Sequence, residues 1–310
     1  MHEVKSGKYE WPTLEYGELG DSVATVHMWT QIVGKIRLKK MPWINHSWHV
    51  PLYVSVNGLT TRPIRYERGI FEINFDFINH QLSVNTSESK NAVIELYPRS
   101  VASFYKELFE KLDTLHIPVE IHRRPNEVEQ SIPFAEDEIH KSYDKSQVYL
   151  LWQALVKISN VFTQFRSTFS GKSSSVHFFW GGFDLAVTRF SGRKAPSHPG
   201  GAPNIPLDVM QESYSHEVSS AGFWPGNDAF PEAYFYSYCY PTPDNFSQQE
   251  VQPGDAFFSK DLGEFLLPYN VVAKSNNPEQ MLMQFLQSTY DAAATTGKWD
   301  KASFEFTFRH

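Results

Sequence analysis

The stretch "SSSVHFFWGGFDLAVTRFSGR" (residues 173–193) decides the fold, because its alternation turns over at Gly181-Gly182. A strand alternates its side chains between two faces, and a glycine pair supplies a tight reversal. With the glycines as the turn, Trp180 pairs with Phe183, Phe179 with Asp184 and His177 with Ala186. One face then carries Val176, Phe178, Trp180, Phe183, Leu185, Val187 and Arg189, and the other carries Ser175, His177, Phe179, Asp184 and Thr188. The first is a core face. The second brings His177 diagonally close to Asp184.

Two more reversals are readable nearer the N-terminus. "PLYVSVNGLTTRPI" (51–64) holds Asn57-Gly58, the dipeptide best suited to a two-residue hairpin turn. "FEINFDFINHQLSV" (71–84) places Phe71, Ile73, Phe75, Phe77, Leu82 and Val84 on one face if it turns at Asn79-His80. Further strands are expected at "NAVIELY" (91–97), "IPVEIH" (117–122), "SYSHEVSS" (213–220), "AYFYSYCY" (233–240), "GEFLLPYNVV" (263–272) and "SFEFTF" (303–308).

Helical spacing appears between them. "DSVATVHMWTQIVGKIRL" (21–38) reads as a helix capped by Asp21. A second helix starts near Ser100 with Val101, Phe104, Leu108, Leu112 and Leu115 inward. Asp144 followed by Gln147 has the spacing of a capping box and opens a long helix, and Asn277-Pro278 opens another that Gly297 stops. Each half of the chain therefore runs helix, hairpin, further strands, helix, strand.

The expectation is an α+β fold of two similar halves from an internal duplication, with antiparallel sheets, helices packed on one face and a pseudo-twofold axis. Residues 1–124 form the first half, 125–143 a linker, and 144–310 the second half with a Pro/Gly-rich insert at 194–208. Such long loops are disproportionately functional.

Composition narrows the function. The 310 residues are 41% hydrophobic and 15% aromatic, ample for a core, and the net charge of −7 leaves no uniform basic field for nucleic acid. No run reaches the length of a membrane span, and a single cysteine, Cys239, leaves no disulfide framework, so a cytoplasmic protein is expected. No GxSxG motif is present, and "SGKSS" (170–174) lacks the spacing and the strand-to-helix context of a phosphate-binding loop.

The chemistry left is carried by scattered residues. His177 is the candidate general base or metal ligand, Asp184 its orienting carboxylate, and His216 with Glu217 a second acid/base or ligand pair. Arg189 and Arg193 are candidates to hold an anion, and Tyr214, Trp224 and Trp48 to line a pocket. A divalent metal on His177 and His216 is one expectation; a solvated face or structural hydrogen bonds is the competing one.

The segments "TQIVGKIRL", "GLTT", "FDF", "HKSYD", "GKSSSVHFFWGGFDLAVTRFSGR", "YSHE", "GFWPG", "LPY" and "STYDAAA" together resemble the bacterial family called domain of unknown function 5996, from about Trp11 to Trp299. The resemblance implies no activity, cofactor or catalytic residue. Two functions are expected from the residues alone. One is an enzyme acting on a small, anionic molecule through a His/Asp/Glu site in the second half; the other is a binding or scaffold protein whose polar cluster is structural.

Overall fold

The computed structural model describes residues 10–305. Its first sheet contains β1 (Tyr53–Val54), β2 (Gly58–Thr60), β3 (Ile64–Tyr66), β4 (Gly69–Asp76), β5 (Gln81–Thr86) and β6 (Asn91–Glu95), in the order β1-β2-β4-β5-β6 with β3 beside β4. The second contains β7 (His177–Phe179), β8 (Asp184–Lys194), β9 (His216–Trp224), β10 (Tyr234–Tyr240), β11 (Phe257–Ser259) and β12 (Glu264–Pro268), in the order β11-β12-β10-β9-β8-β7. All pairings are antiparallel. The fold is α+β.

The two sheets touch at their edges. Leu52 beside β1 and Phe178 of β7 exchange both backbone hydrogen bonds, each at 2.9 Å, and both side chains are fully buried. Two edges that would each offer unpaired N–H and C=O groups thereby close on one another.

Four long helices line one side of the joined sheets: α1 (Tyr16–Lys40), α2 (Val101–Thr114), α3 (Lys145–Ser167) and α6 (Pro278–Thr296). Three short ones, α4 (Leu207–Ser213), α5 (Tyr269–Ala273) and α7 (Lys301–Phe304), complete the described residues. α1 packs against α2 and α3, α3 against α6 and β8, and α6 against β9 and β10. One hydrophobic core runs through both halves. The six inward residues of "FEINFDFINHQLSV" are all at most 3% exposed, each contributing roughly 1.5–3 kcal/mol of burial free energy.

The caps follow from local chemistry. Ser100 accepts from Ser103 N–H, Asp144 from Ser146 and Gln147 N–H, and Asn277 from Gln280 N–H with Pro278 at the first turn. Several boundaries differ from the sequence expectation. α1 starts five residues before Asp21, since burial of Leu19 and Gly20 extends the helix past any side-chain cap. Residues 117–122 form no strand, because no ladder partner lies beside them, and the chain there runs as an irregular segment. Tyr214 follows α4 rather than lying on a strand, and of "SFEFTF" Phe304 ends α7 while residues 306–308 lie outside the described residues.

The hairpin registers carry a second lesson. Phe179 pairs with Asp184 and His177 with Ala186 as expected, but Trp180 and Phe183 lie within a four-residue turn in which Phe183, not a glycine, takes the positive φ of 58°. In the first sheet Tyr53 pairs with Thr60 and Val54 with Leu59, so the turn centres on Val56-Asn57, one residue before Asn57-Gly58. Gly58 is needed for another reason: a Cβ there would overlap the Phe75 carbonyl on β4. Close approach of two backbones, not turn geometry, demands the glycine.

Trp180 locks α1 onto the second sheet. Its indole lies flat against Gly34, where a Cβ would overlap the ring, and Nε1 donates to the Val50 carbonyl at 2.9 Å. Gly34→Ala is therefore expected to lower stability by about 1–3 kcal/mol through overpacking, despite the better helix propensity of alanine. Gly17, exposed on the same helix with open space around it, gives the control. Gly17→Ala should stabilise by about 0.5–1 kcal/mol in the same urea titration.

Candidate functional site

On β8, β9, β10 and β12 the residues Leu185, Val187, Ala221, Phe223, Phe235 and Leu267 point into the core. Their neighbours along each strand therefore face the other side. There Ala186, Thr188, Ser220 and Gly222 make a floor of small side chains, and Tyr234, Tyr236, Tyr238 and Tyr240 stand in a row along β10. A Cβ on Gly222 would overlap the Tyr236 ring, so the glycine lets that ring lie across β9. Its hydroxyl then donates to Asp184 Oδ2 at 2.5 Å. Beside it the Tyr214 and Tyr238 hydroxyls are 2.8 Å apart, and those of Thr188 and Ser220 are 2.9 Å apart.

A third wall comes from the segment between the halves. Glu127 adopts φ of 58° and donates its N–H to the Pro203 carbonyl at 2.9 Å, inside the Pro/Gly-rich insert. The preceding Asn126 is clasped by α1: Gln31 Nε2 donates to its carbonyl at 2.7 Å, its N–H donates to Gln31 Oε1 at 2.9 Å, and Lys35 donates to its Oδ1. His27, one turn before Gln31, holds the Gly181 carbonyl at 2.8 Å. The result presses the Glu127 carboxylate onto the glycine turn. A methyl on Gly182 would lie 3.0 Å from Asp184 Oδ1 and 3.6 Å from Glu127 Oε2, so both carboxylates crowd one point. At the other end His198 of the insert stacks on Tyr214 with ring centroids 4.6 Å apart.

The electrostatics follow from burial and like charge. Desolvation raises Asp184 to about 6, against the pull of the Tyr236 hydroxyl bond. Desolvation and then the Asp184 charge raise Glu127 to about 7, and the same two causes raise Glu264 to about 7. Glu127 is an exposed residue whose carboxylate reaches the Gly181-Gly182 turn. Neither the Glu127 nor the Glu264 carboxylate accepts a hydrogen bond among the described residues, and Asp184 has the one hydroxyl donor, Tyr236. Burial keeps Tyr236 and Tyr238 protonated, hence donors.

The residues singled out from sequence separate into groups. Asp184 and Tyr214 line this recess. His177 turns toward the first half, its ring packed on Trp48, Tyr53 and Phe179, and it makes no hydrogen bond with Asp184. Burial and the Arg62, Arg37 and Arg166 charges hold it neutral, with its pKa lowered to about 3. His216 lies against Ser215 and the His46 ring, beside Lys172 Nζ, which is 2.5 Å from His46 Nε2. Trp224 packs on Phe230.

Glu217 binds Arg193 at 2.6 Å and Ser191 at 2.8 Å, and Arg193 also donates to the carbonyls of Gly297 and Lys298 at the end of α6. Arg189 is on the core face, 1% exposed. It donates to the Phe165 carbonyl and Thr168, with Phe165 3.5 Å and Tyr290 4.4 Å from its guanidinium. Both arginines are thus engaged with protein groups. Among the described residues no group of three or more His, Cys, Asp or Glu side chains is arranged to hold a metal ion, so His177 and His216 are not brought into such a set. Cys239 is buried, and its thiol is pushed up to about 12.

Three participants were missed: Tyr236 lay in "AYFYSYCY", expected only as a strand, and Glu264 looked like an ordinary strand-opening polar residue. Glu127 lay in an apparent linker, and only the returning loop brings it to the recess.

The fold and these side chains define a class: a two-sheet α+β protein with a cluster of tyrosine and carboxyl groups on the face of the second sheet turned away from its core. The chain belongs to the family of unknown function DUF5996, whose sequence profile matches residues 11–306. No curated protein and no solved structure matches it. No helix among the described residues is long and apolar enough to cross a membrane.

The carboxyl shifts fix a sign for the pH dependence. A carboxyl raised in the folded state binds its proton more tightly there, so its contribution to stability is present below its unfolded pKa and is lost as pH climbs to the folded value. For Glu127 that window runs from about 4.5 to about 7. Glu127→Gln should therefore gain stability relative to the wild type progressively across that window and hold the gain above it, in denaturant titrations at each pH. Tyr236→Phe removes the bond that lowers Asp184, so carboxyl-detected NMR titration should find Asp184 titrating higher than in the wild type.

Proposed function

We propose that this protein is an enzyme acting on a small molecule in the recess between β8–β10 and the Glu127 segment, and that the group it recognises there is a protonated amine. The observation that carries the reading is the meeting of the Glu127 and Asp184 carboxylates at Gly182, with no hydrogen-bond donor on Glu127. Two carboxyls near one point repel each other, and an ammonium group would relieve the repulsion while supplying the missing donor. Flanking tyrosine rings favour a cation for a second reason, through their negative faces.

Carboxyls raised to about 6 and about 7 are matched to proton transfer near neutral pH. In this reading Asp184, oriented by Tyr236, and Glu127 hold the cation and exchange the proton, and the Tyr214–Tyr238 pair donates to the rest of the molecule. The expectation of an anionic substrate gives way here, because Arg189 and Arg193 bind protein groups away from the recess. A non-catalytic binding protein would use the same recess without turnover. The shared order of helix and antiparallel strands in the two halves supports, as a further part of the proposal, their origin by duplication.

The test is a thermal-shift and calorimetric screen of primary amines and quaternary ammonium compounds, followed by mass spectrometry of incubated mixtures. An amine should stabilise the wild type, and Asp184→Asn or Glu127→Gln should weaken its binding by about tenfold or more, the scale of one charge-assisted contact. Chemical change of the bound amine, lost in Asp184→Asn, would establish the enzyme. Binding unaffected by both substitutions, or no amine bound at all, would sink the reading.

A further inference from the structure

At the seam between the sheets, charge of the opposite sign collects. Arg37, near the end of α1, is 4% exposed; it donates to the Thr61 carbonyl, and its guanidinium lies 5.5 Å from the Tyr53 ring centroid. Arg62 is exposed, its backbone held at φ of 55°, with its guanidinium 3.5 Å from the same centroid. Neither arginine has a carboxylate within ion-pair distance among the described residues. A buried guanidinium is ordinarily paired, since desolvating an uncompensated charge is costly.

Two buried nitrogens here lack any partner. One is Arg37 Nε; the other is Nδ1 of His177, whose residue is 3% exposed and whose ring meets Tyr53 at 5.6 Å and 81°. Native structures rarely leave such atoms unsatisfied, so each calls for an acceptor. Aromatic walls bound the same place. Trp48 and Phe179 lie 6.0 and 5.5 Å from the His177 ring, and Lys172 sits 5.3 Å from the Trp48 ring, adding a further positive charge.

We propose that the seam is an anion-binding site, built from Arg37, Arg62, Tyr53 and His177, for the carboxylate or phosphate of a small molecule whose flat body packs against Trp48. Arg37 and Arg62 offer fork-shaped donors beside Tyr53, suited to a planar or tetrahedral oxyanion. His177, held neutral, contributes one N–H donor and no competing charge. Arg62 is the exposed member of the set and acts as its movable cover. His177 and Asp184 share a face of the β7–β8 hairpin, but the arginines stand about Tyr53 beside His177 and the carboxyls crowd Gly182, so the two places favour ligands of opposite charge.

Isothermal titration of the full chain with phenyl phosphate, benzoate and inorganic phosphate tests this. At least one aromatic oxyanion should bind the wild type, and Arg62→Ala should weaken it about tenfold or more while leaving the ligand-free melting temperature unchanged, because Arg62 is exposed. Arg37→Gln should weaken it further if the variant folds; Arg62→Ala carries the test if it does not. Arg193→Ala and Asp184→Asn should bind as the wild type does. Absence of binding to the wild type at millimolar concentrations would overturn the proposal, as would undiminished affinity in Arg62→Ala. Equal loss in Asp184→Asn would also overturn it, by putting the anion in the recess. Failure here leaves the amine screen of the recess standing.

Discussion

The reciprocal backbone pair between Leu52 and Phe178 is the constraint on which the rest of the structure depends. It joins the edge of one sheet to the edge of the other, so twelve strands share a helical layer and one core. Without it both edges would present unpaired groups, and the helices would have no common surface to cover. Trp180, two residues beyond Phe178, reinforces the joint by filling the space that Gly34 leaves on α1 and by bonding to Val50. Both candidate sites flank this joint. The seam lies at it, and the recess begins at the turn that Trp180 opens.

α1 is the element that connects packing to chemistry. It is buried nearly all round, with Trp29, Ile32, Val33 and Ile36 at 0% exposure. Polar residues on such a helix must find partners inside the protein. His27, Gln31 and Lys35, spaced one turn apart, do so on Gly181 and Asn126, and thereby set the position of Glu127. Ser22 and Thr25, on another side, accept from the N–H groups of Asp144 and Ser142 and fix the start of α3. Arg37 goes to Thr61 at the seam. One helix thus aligns both sites and the loops around them.

The two sites divide the charge of the molecule. Carboxyls gather at the Gly181-Gly182 turn, and arginines gather where the sheets meet. Each gathering costs stability by itself, through like-charge repulsion or an uncompensated buried guanidinium. A ligand of opposite charge at either place would offset that cost.

The sequence by itself determined the hairpins, the inward faces of the strands and the helix caps at Ser100, Asp144 and Asn277, because those depend on alternation and on side chains within a few residues. It also showed the polar face holding His177 and Asp184. It did not show that His177 and Asp184 serve different neighbourhoods, since that depends on Tyr53 and Trp48 arriving from the first sheet and Tyr236 reaching over Gly222. Arg189 lay on the predicted core face, but its burial among Phe165 and Tyr290 needed α3 and α6 in place. Gly58 looked like a turn residue and proved to be a contact residue for Phe75. Glu127 looked like linker, and its role at the glycine turn was decided by hydrogen bonds to α1 and to the insert, partners 95 residues before Asn126 and 78 after it. Local periodicity fixes which way a side chain points from its own strand. What it meets there is set by long-range packing, which no window of neighbouring residues contains.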